Sequence, residues 1–414
     1  MRIPTFRDVQ DQVSEILRQH GCLGAVLVDL GPLAHIERSF GGQTFQSLYA
    51  QIDPILEEMR ERFRQGDLIT RDEREGDRFL LFLGGRRLGE TIFAASDLRK
   101  LADRVEEFLT PRIGRLTTPY LRERPAVDVG YGVVLWSPLE SEERLVLRVI
   151  EDAVTSADLR RRLRDRDQRE RLLEIIYNRN IWTAFQTIVD MESRQAMGWE
   201  GLSRGPRGTD LELPLALFGR AARHGLTEEL ERSCRRQAFV DWEIFGAPGR
   251  LFVNTVPATI RDSSFLGRGV LDYLGPRLSP RFVTLEITER QVIENLNLYR
   301  EAMHSFMDLG FSFAIDDLGA GYSGLETVVT LKPSYLKIDM GLVRDVHQKR
   351  VSQQVVKAIL EMGVGVGATV IAEGIQTQDE ADALRQIGVR FGQGYLYSRP
   401  VDPYAQKPKA ATVP

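Results

Sequence analysis

The feature that most constrains this chain is a construction repeated along its second half: short apolar runs, each ending in a residue that can bind a metal or move a proton. LFVNT delivers Asn254, FVTLEITE delivers Glu286 with Glu289 behind it, and FAIDD delivers Asp316 and Asp317. YLKID delivers Lys337 and Asp339, ATVIAEG delivers Glu373, and FGQGY delivers Gln393. Upstream, FQTIVD carries Gln186, and MGWEGLSR carries Glu200 and Arg204. Helical patterns separate most of these runs, as over residues 296–309 and 351–362. Eight units of strand plus connection are the count of a (β/α)8 barrel, in which chemistry collects at the carboxyl ends of the strands. Taken singly, an Asn, Lys or Gln at a strand end is more often a turn former or a solvated terminus. Eight in register require a site.

The adjacent pair Asp316 and Asp317 is the sharpest element. The run FAIDDLGAGYSGL drops both acids from an apolar strand into a glycine-rich loop, where the backbone can bend enough to aim both carboxylates at one point. Neighbouring carboxylates repel unless a cation lies between them, so a divalent metal is the simplest partner. Glu200 and Glu286 close apolar or aromatic runs, where an unpaired carboxylate would be costly.

These same residues carry a resemblance. Residues 182–400 resemble the EAL domain, the family that hydrolyses the bacterial second messenger cyclic di-GMP. The matching segments are EGL at Glu200–Leu202, the Asn of VNT, LEITE, DDLGAGYSGL, LKID, AEG and GQGY. The resemblance implies a modified TIM barrel whose first strand runs against the others. It also implies a metal cluster of Glu200, Asn254, Glu286 and Asp316 with Asp317 alongside, holding two Mg2+ or Mn2+ ions about 3.5–4 Å apart that activate water for attack on phosphorus. Lys337 would orient that water or neutralise phosphate charge, and Glu373 would be either a metal ligand or the proton acceptor. Gln186, Leu202, Arg204 and Gln393 match positions that hold the nucleotide, and Glu289 one that braces the loop bearing the acids. Family habit further implies a homodimer formed through the helix after Asp317. Three residues depart from the pattern: Gly201 replaces the motif's Ala, Leu318 a Phe, and Gly324 a Ser. None removes a ligand, so an active phosphodiesterase is expected. The alternatives are a receptor that binds cyclic di-GMP without hydrolysis and a Mg2+-dependent lyase of the enolase type.

The first part of the chain, residues 21–157, resembles the GGDEF (diguanylate cyclase) fold in element order and in one degraded signature. CLGAVLVDL gives a first strand ending in Asp29, REGDRFLLFL a hairpin around Glu75, Gly76 and Asp77, and DVGYGVVLWSP a later strand before a helix from Glu142. Its chemistry is dismantled. Glu75 stands at the motif's first glycine and Arg78 at its second acid, which reverses charge inside a would-be metal site. Ala34, Glu37 and Arg38 occupy positions that would hold phosphate and guanine. Asp29 and Asp77 remain as a residual nucleotide or metal site, with GTP as its candidate ligand. Arg64 to Asp67 is read as a solvated charge cluster.

The expected organisation is therefore a degenerate GGDEF-like α/β domain over 1–157, acting as regulator, and a charged interdomain helix over 158–179. An EAL barrel over 180–404 and a loose tail over 405–414 follow. A net charge of −4 gives no reason to expect a nucleic-acid polymer or an anionic membrane as partner. The two cysteines, Cys22 and Cys234, lack metal spacing, which fits a reducing cytoplasm. No run of about 18 apolar residues suggests a membrane span. The GVGVG at Gly363–Gly367 precedes a strand instead of following one, the reverse of a dinucleotide fingerprint.

Overall fold

The computed structural model describes residues 3–63, 66–72, 77–84, 95–117, 127–255, 267–276, 278–288, 296–319 and 324–405. Glu75, Gly76, Arg64, Glu289 and the tail after Ala405 lie outside these residues. The chain divides into two compact units, Met1–Arg171 and Leu172–Pro414.

The first unit is built on strands β1 (Cys22–Asp29), β2 (Leu68–Arg71), β3 (Arg78–Leu83) and β4 (Asp128–Leu135). They form one sheet in the order β2-β3-β1-β4, antiparallel at every pairing. All eight residues of β1 are buried, because helices cover both faces of the sheet. One face packs Val26, Val28, Phe79 and Leu81 against helices Gly42–Arg60 and Ala95–Thr117. The other packs Leu23, Ala25, Leu80 and Phe82 against helix Phe6–His20 and the first turns of helix Glu142–Tyr177. Gly130 on β4 makes that second approach possible, since a Cβ there would lie 2.0 Å from the Ala153 carbonyl oxygen and 2.4 Å from the Ala157 nitrogen. Both are helix backbone and cannot yield, so Gly130→Val should cost roughly 1–3 kcal/mol or more in unfolding free energy, read by urea denaturation.

Helix Glu142–Tyr177 does not pause at Ala157 and is 36 residues long in all. No glycine or proline interrupts it, and its charge run is not simply solvated. Arg160 pairs with Asp103 and Glu106 at 2.8 Å each, Arg164 pairs with Glu106 at 2.5 Å and also with Asp128, and Arg161 reaches Asp128 at 3.5 Å. Leu159 and Leu163 are exposed, whereas Leu172 and Ile175 are buried in the second unit beside Leu211 and Leu217.

The second unit is a closed eight-stranded barrel. Its strands are β5 (Trp182–Asp190), β6 (Ala196–Arg204), β7 (Arg250–Asn254), β8 (Val283–Thr288), β9 (Ser312–Leu318), β10 (Tyr335–Ile338), β11 (Thr369–Ala372) and β12 (Phe391–Gly392). β5 is antiparallel to both its neighbours, β6 and β12, and the remaining pairings are parallel. The reversal follows from the connection: β5 and β6 are joined by a short turn at 191–195 that carries no crossover helix, and such a hairpin can only join antiparallel strands. The barrel interior below the strand ends is filled by Ile188, Phe252, Ala314 and Ile371. The larger core lies between the strands and the surrounding helices, around Phe185, Trp242, Phe245, Leu285 and Phe306. The interior is therefore packed, and the chemistry can only open at one end.

Candidate metal centre

Lys337 is the centre of that end. It is fully buried, and its Nζ lies 2.5 Å from Glu373, 2.7 Å from Glu286, 3.3 Å from Asp316 and 3.5 Å from Glu200. Each partner comes from a different strand or strand end, which is the arrangement that parallel strands with inward-facing side chains produce. Within the ladder of β7 and β8, Asn254 stands beside Glu286, and the Asn254 amide donates to Glu200 Oε1 at 3.4 Å.

The pair of aspartates reaches this centre through a backbone irregularity. In regular pairing, neighbours on a strand face opposite sides. Here Ile315 pairs with Leu336 and Leu318 pairs with Ile338, so Asp316 and Asp317 together oppose the single residue Lys337. The extra residue is a bulge, and Asp317 takes up the bend with a left-handed φ of +58°, which Asp tolerates better than most residues. Its backbone N–H donates to Asp316 Oδ1 at 2.9 Å. Both acids thereby turn toward the same region.

Two sets of three carboxylates result, each with its ligand atoms within 4.8 Å of one another: Glu200, Glu286 and Asp316, and then Asp316, Asp317 and Glu373. Asp316 belongs to both sets. Five carboxylates against one ammonium leave a formal excess of four negative charges, which is the charge two divalent cations carry. Neither Glu286 oxygen makes a well-angled hydrogen bond, although the residue is buried. An all-oxygen set of this kind suits hard cations such as Mg2+ or Mn2+. The residues present fit the group.

The electrostatics agree. Burial pushes the Glu286 and Glu373 carboxyls well above the usual range, with Lys337 partly offsetting it. Asp317 is pushed up to about 6 by burial and then by the charge of Asp316. Burial pulls Lys337 down, but the surrounding acids outweigh it and hold the ammonium charged.

The residues expected to hold the nucleotide fall into two groups. Gln186 and Gln393 are buried and bonded to one another, Gln393 Nε2 donating to Gln186 Oε1 at 3.0 Å and to Glu200 Oε2 at 2.5 Å. Leu202 lines a cavity of about 280 Å³ with Asn254, Phe218, Glu231 and Arg235. Arg204 is half-buried and donates to the Leu202 and Ser203 carbonyls of its own strand, at 3.4 Å and 2.9 Å. Sequence reasoning passed over Glu231 and Arg235, and weighed Cys234 only for metal spacing, although the spacing of the three in EELERSCRRQ puts them on one helix face. A methyl at Gly201 would meet Thr183 Cγ2 tightly, at 3.2 Å, and the Phe252 carbonyl oxygen and Phe185 ring at ordinary contact, 3.5 Å and 3.7 Å. None of these atoms belongs to a candidate ligand.

In the first unit, Asp29 at the end of β1 accepts from Arg78 Nε at 2.9 Å and from the Gly31 N–H at 2.7 Å. Asp77 precedes β3, and its carbonyl accepts from the Leu30 N–H at 2.9 Å. The Arg78 guanidinium thus serves as an internal partner for the Asp29 carboxylate.

A barrel with one reversed strand and two carboxylate triads sharing an aspartate is a scaffold with a candidate site for divalent cations. The EAL domain description matches residues 169–400, more than half of the chain, and the chain belongs to the EAL family. Among curated relatives, it is 34% identical over 154 residues to the probable cyclic di-GMP phosphodiesterase PdeA of Escherichia coli, covering 36% of this chain and 21% of that protein. It is 31% identical over 241 residues to the probable cyclic di-GMP phosphodiesterase PdeB of the same organism, covering 55% of this chain and 44% of that protein. The chain thus spans less than half the length of either relative. Among solved structures, the EAL enzyme Bd1971 bound to cAMP and cyclic di-GMP matches with a TM-score of 0.53 at 25% identity, over 68% of this chain and 81% of that one. The FimX EAL domain of Xanthomonas citri in complex with c-diGMP matches with a TM-score of 0.54 over 60% of this chain and 99% of that one; at 18% identity it speaks to the fold alone. Among the described residues no helix is long and apolar enough to cross a membrane.

Proposed function

We propose that the chain is a metal-dependent phosphodiesterase that opens cyclic di-GMP to linear pGpG. The observation that carries this reading is the pair of carboxylate triads meeting at Asp316 around Lys337. Glu200, Asn254, Glu286 and Asp316 would hold one cation, and Asp316, Asp317 and Glu373 a second. Such cations, when bound, lower the pKa of a water and offset charge on the phosphate and leaving oxygen. The chain's residues supply position. Lys337 is too enclosed to meet a phosphodiester arriving from solvent, and instead holds four mutually repelling carboxylates in one place. Of those four, Glu373 keeps the most side-chain exposure, at 18%. In hydrolysis, the water oxygen bonds to phosphorus, the bond from phosphorus to the 3′ oxygen breaks, and the proton ends on that oxygen.

The first unit serves in this reading as a GGDEF-like regulator without cyclase chemistry, and the chain works as a cytoplasmic homodimer. GTP at Asp29 and Asp77 is the weaker part, because Arg78 already pairs with Asp29. The test is hydrolysis of cyclic di-GMP by purified full-length protein with Mg2+ or Mn2+, followed by chromatography, with and without GTP. Metal-dependent pGpG is expected; binding without product would favour the receptor, and a flat GTP titration would remove GTP as ligand.

A further inference from the structure

One chain of contacts in the barrel is not accounted for by the metal ligands. Gln393 and Gln186 come from opposite ends of the barrel sequence, and both are buried, 4% and 8% exposed. Gln393 Nε2 donates to Glu200 Oε2 at 2.5 Å and to Gln186 Oε1 at 3.0 Å. Gln186 Nε2 in turn donates to the Ser398 carbonyl at 2.9 Å. Gln186 also lies directly opposite Glu200 across the β5–β6 ladder, so its side chain rises on the same face.

The sense of this chain is fixed by its two ends. A carboxylate and a backbone carbonyl only accept, so Gln393 must present its NH2 to Glu200 and Gln186 must present its NH2 to Ser398. The oxygen of Gln186 is then the one group left to receive the second hydrogen of Gln393. Reversing either amide would set two acceptors against each other. The backbone at both ends is pinned as well. The Gln393 N–H donates to the Ala372 carbonyl at 2.8 Å, and the Gln393 carbonyl accepts from the Ile375 N–H at 3.0 Å. The Thr187 N–H donates to Ser398 Oγ at 3.2 Å. Glu200 Oε1 faces Asn254 and Lys337, at 3.4 Å and 3.5 Å.

We infer that Gln186 is a positioning residue acting through Gln393, and that the relay Ser398–Gln186–Gln393 sets the rotation of the Glu200 carboxylate toward the cation. This rests on the metal-dependent reading above, and it gives both glutamines a role other than contact with the nucleotide. Partners that orient a ligand typically change metal affinity about 10- to 100-fold when removed.

The experiment uses the full chain and Mn2+ as probe. Calorimetry should show Gln186→Met binding Mn2+ about 10- to 100-fold more weakly. Affinity for cyclic di-GMP in EDTA should stay within about twofold, which also reports a folded barrel. If Gln186→Met does not fold, Gln186→Asn, too short to bridge, gives the same readout. A double-mutant cycle separates a relay from a diffuse structural effect, because in a Gln393→Met background the Gln186 substitution should cost nothing further. Additive losses would overturn the relay. So would an unchanged Mn2+ affinity with lost cyclic di-GMP binding, which would make Gln186 a nucleotide contact. If the wild-type chain takes up no Mn2+, the metal reading fails and the relay fails with it. If wild type and Gln186→Met take it up equally, only the relay fails.

Discussion

Asp316→Asn is expected to abolish most of the hydrolysis of cyclic di-GMP, by about 10³-fold, the scale on which a single preorganised electrostatic group counts. The reason lies in topology more than in charge. Glu200 and Glu286 belong to one carboxylate triad, Asp317 and Glu373 to the other, and Asp316 to both. An amide in its place keeps the size but withdraws one negative charge from two cation positions at once. Mn2+ uptake measured by calorimetry should fall in stoichiometry as well as affinity, whereas Glu200→Gln should weaken chiefly one site. Residues that act as a unit are also non-additive. Adding Glu200→Gln to Asp316→Asn should therefore cost little beyond the single change. Two ions still bound, with a rate within tenfold of wild type, would sink the shared-ligand assignment.

The sequence made the acids visible and left their arrangement hidden, and the two limits have different causes. Strand ends could be read because apolar runs of four to eight residues stop where a polar residue begins, and Asn254, Glu286, Asp316 and Glu373 all sit at such stops. The bulge could not be read that way. Adjacent aspartates on a regular strand point to opposite faces, and only the pairing of Leu318 with Ile338 shows that both oppose Lys337. Partners far apart in sequence were equally hidden. Gln393 and Gln186 meet across 207 residues, and the last link of their chain is a backbone carbonyl, which no residue type announces. Arg78 was legible as a charged residue opening an apolar run, but its pairing with Asp29 depends on β1 lying beside β3. Helix Glu142–Tyr177 reads as two pieces because its composition changes near Asp158, yet composition does not break a helix that lacks Gly and Pro.

Lys337→Met should produce the largest effect on stability, and its sign should depend on metal. Methionine fills nearly the same volume, so packing changes little and the missing charge dominates. In EDTA the substitution leaves Glu200, Glu286, Asp316 and Glu373 facing one another without their common cation. Removing one partner from a buried ionic cluster costs about 3–5 kcal/mol, because the groups left behind stay desolvated and unpaired. Urea unfolding of the full chain in EDTA should show a barrel transition shifted by that order. Mg2+ or Mn2+ acts in the opposite direction. A cation that binds the folded state alone stabilises it by mass action. Without the competing ammonium, the same carboxylates also offer that cation more uncompensated charge. Saturating Mn2+ should therefore recover most of the lost stability in Lys337→Met and raise wild type by less. An equal deficit in EDTA and in Mn2+ would mean that Lys337 stabilises the barrel through packing, and that the carboxylates do not share one pool of charge with the metal.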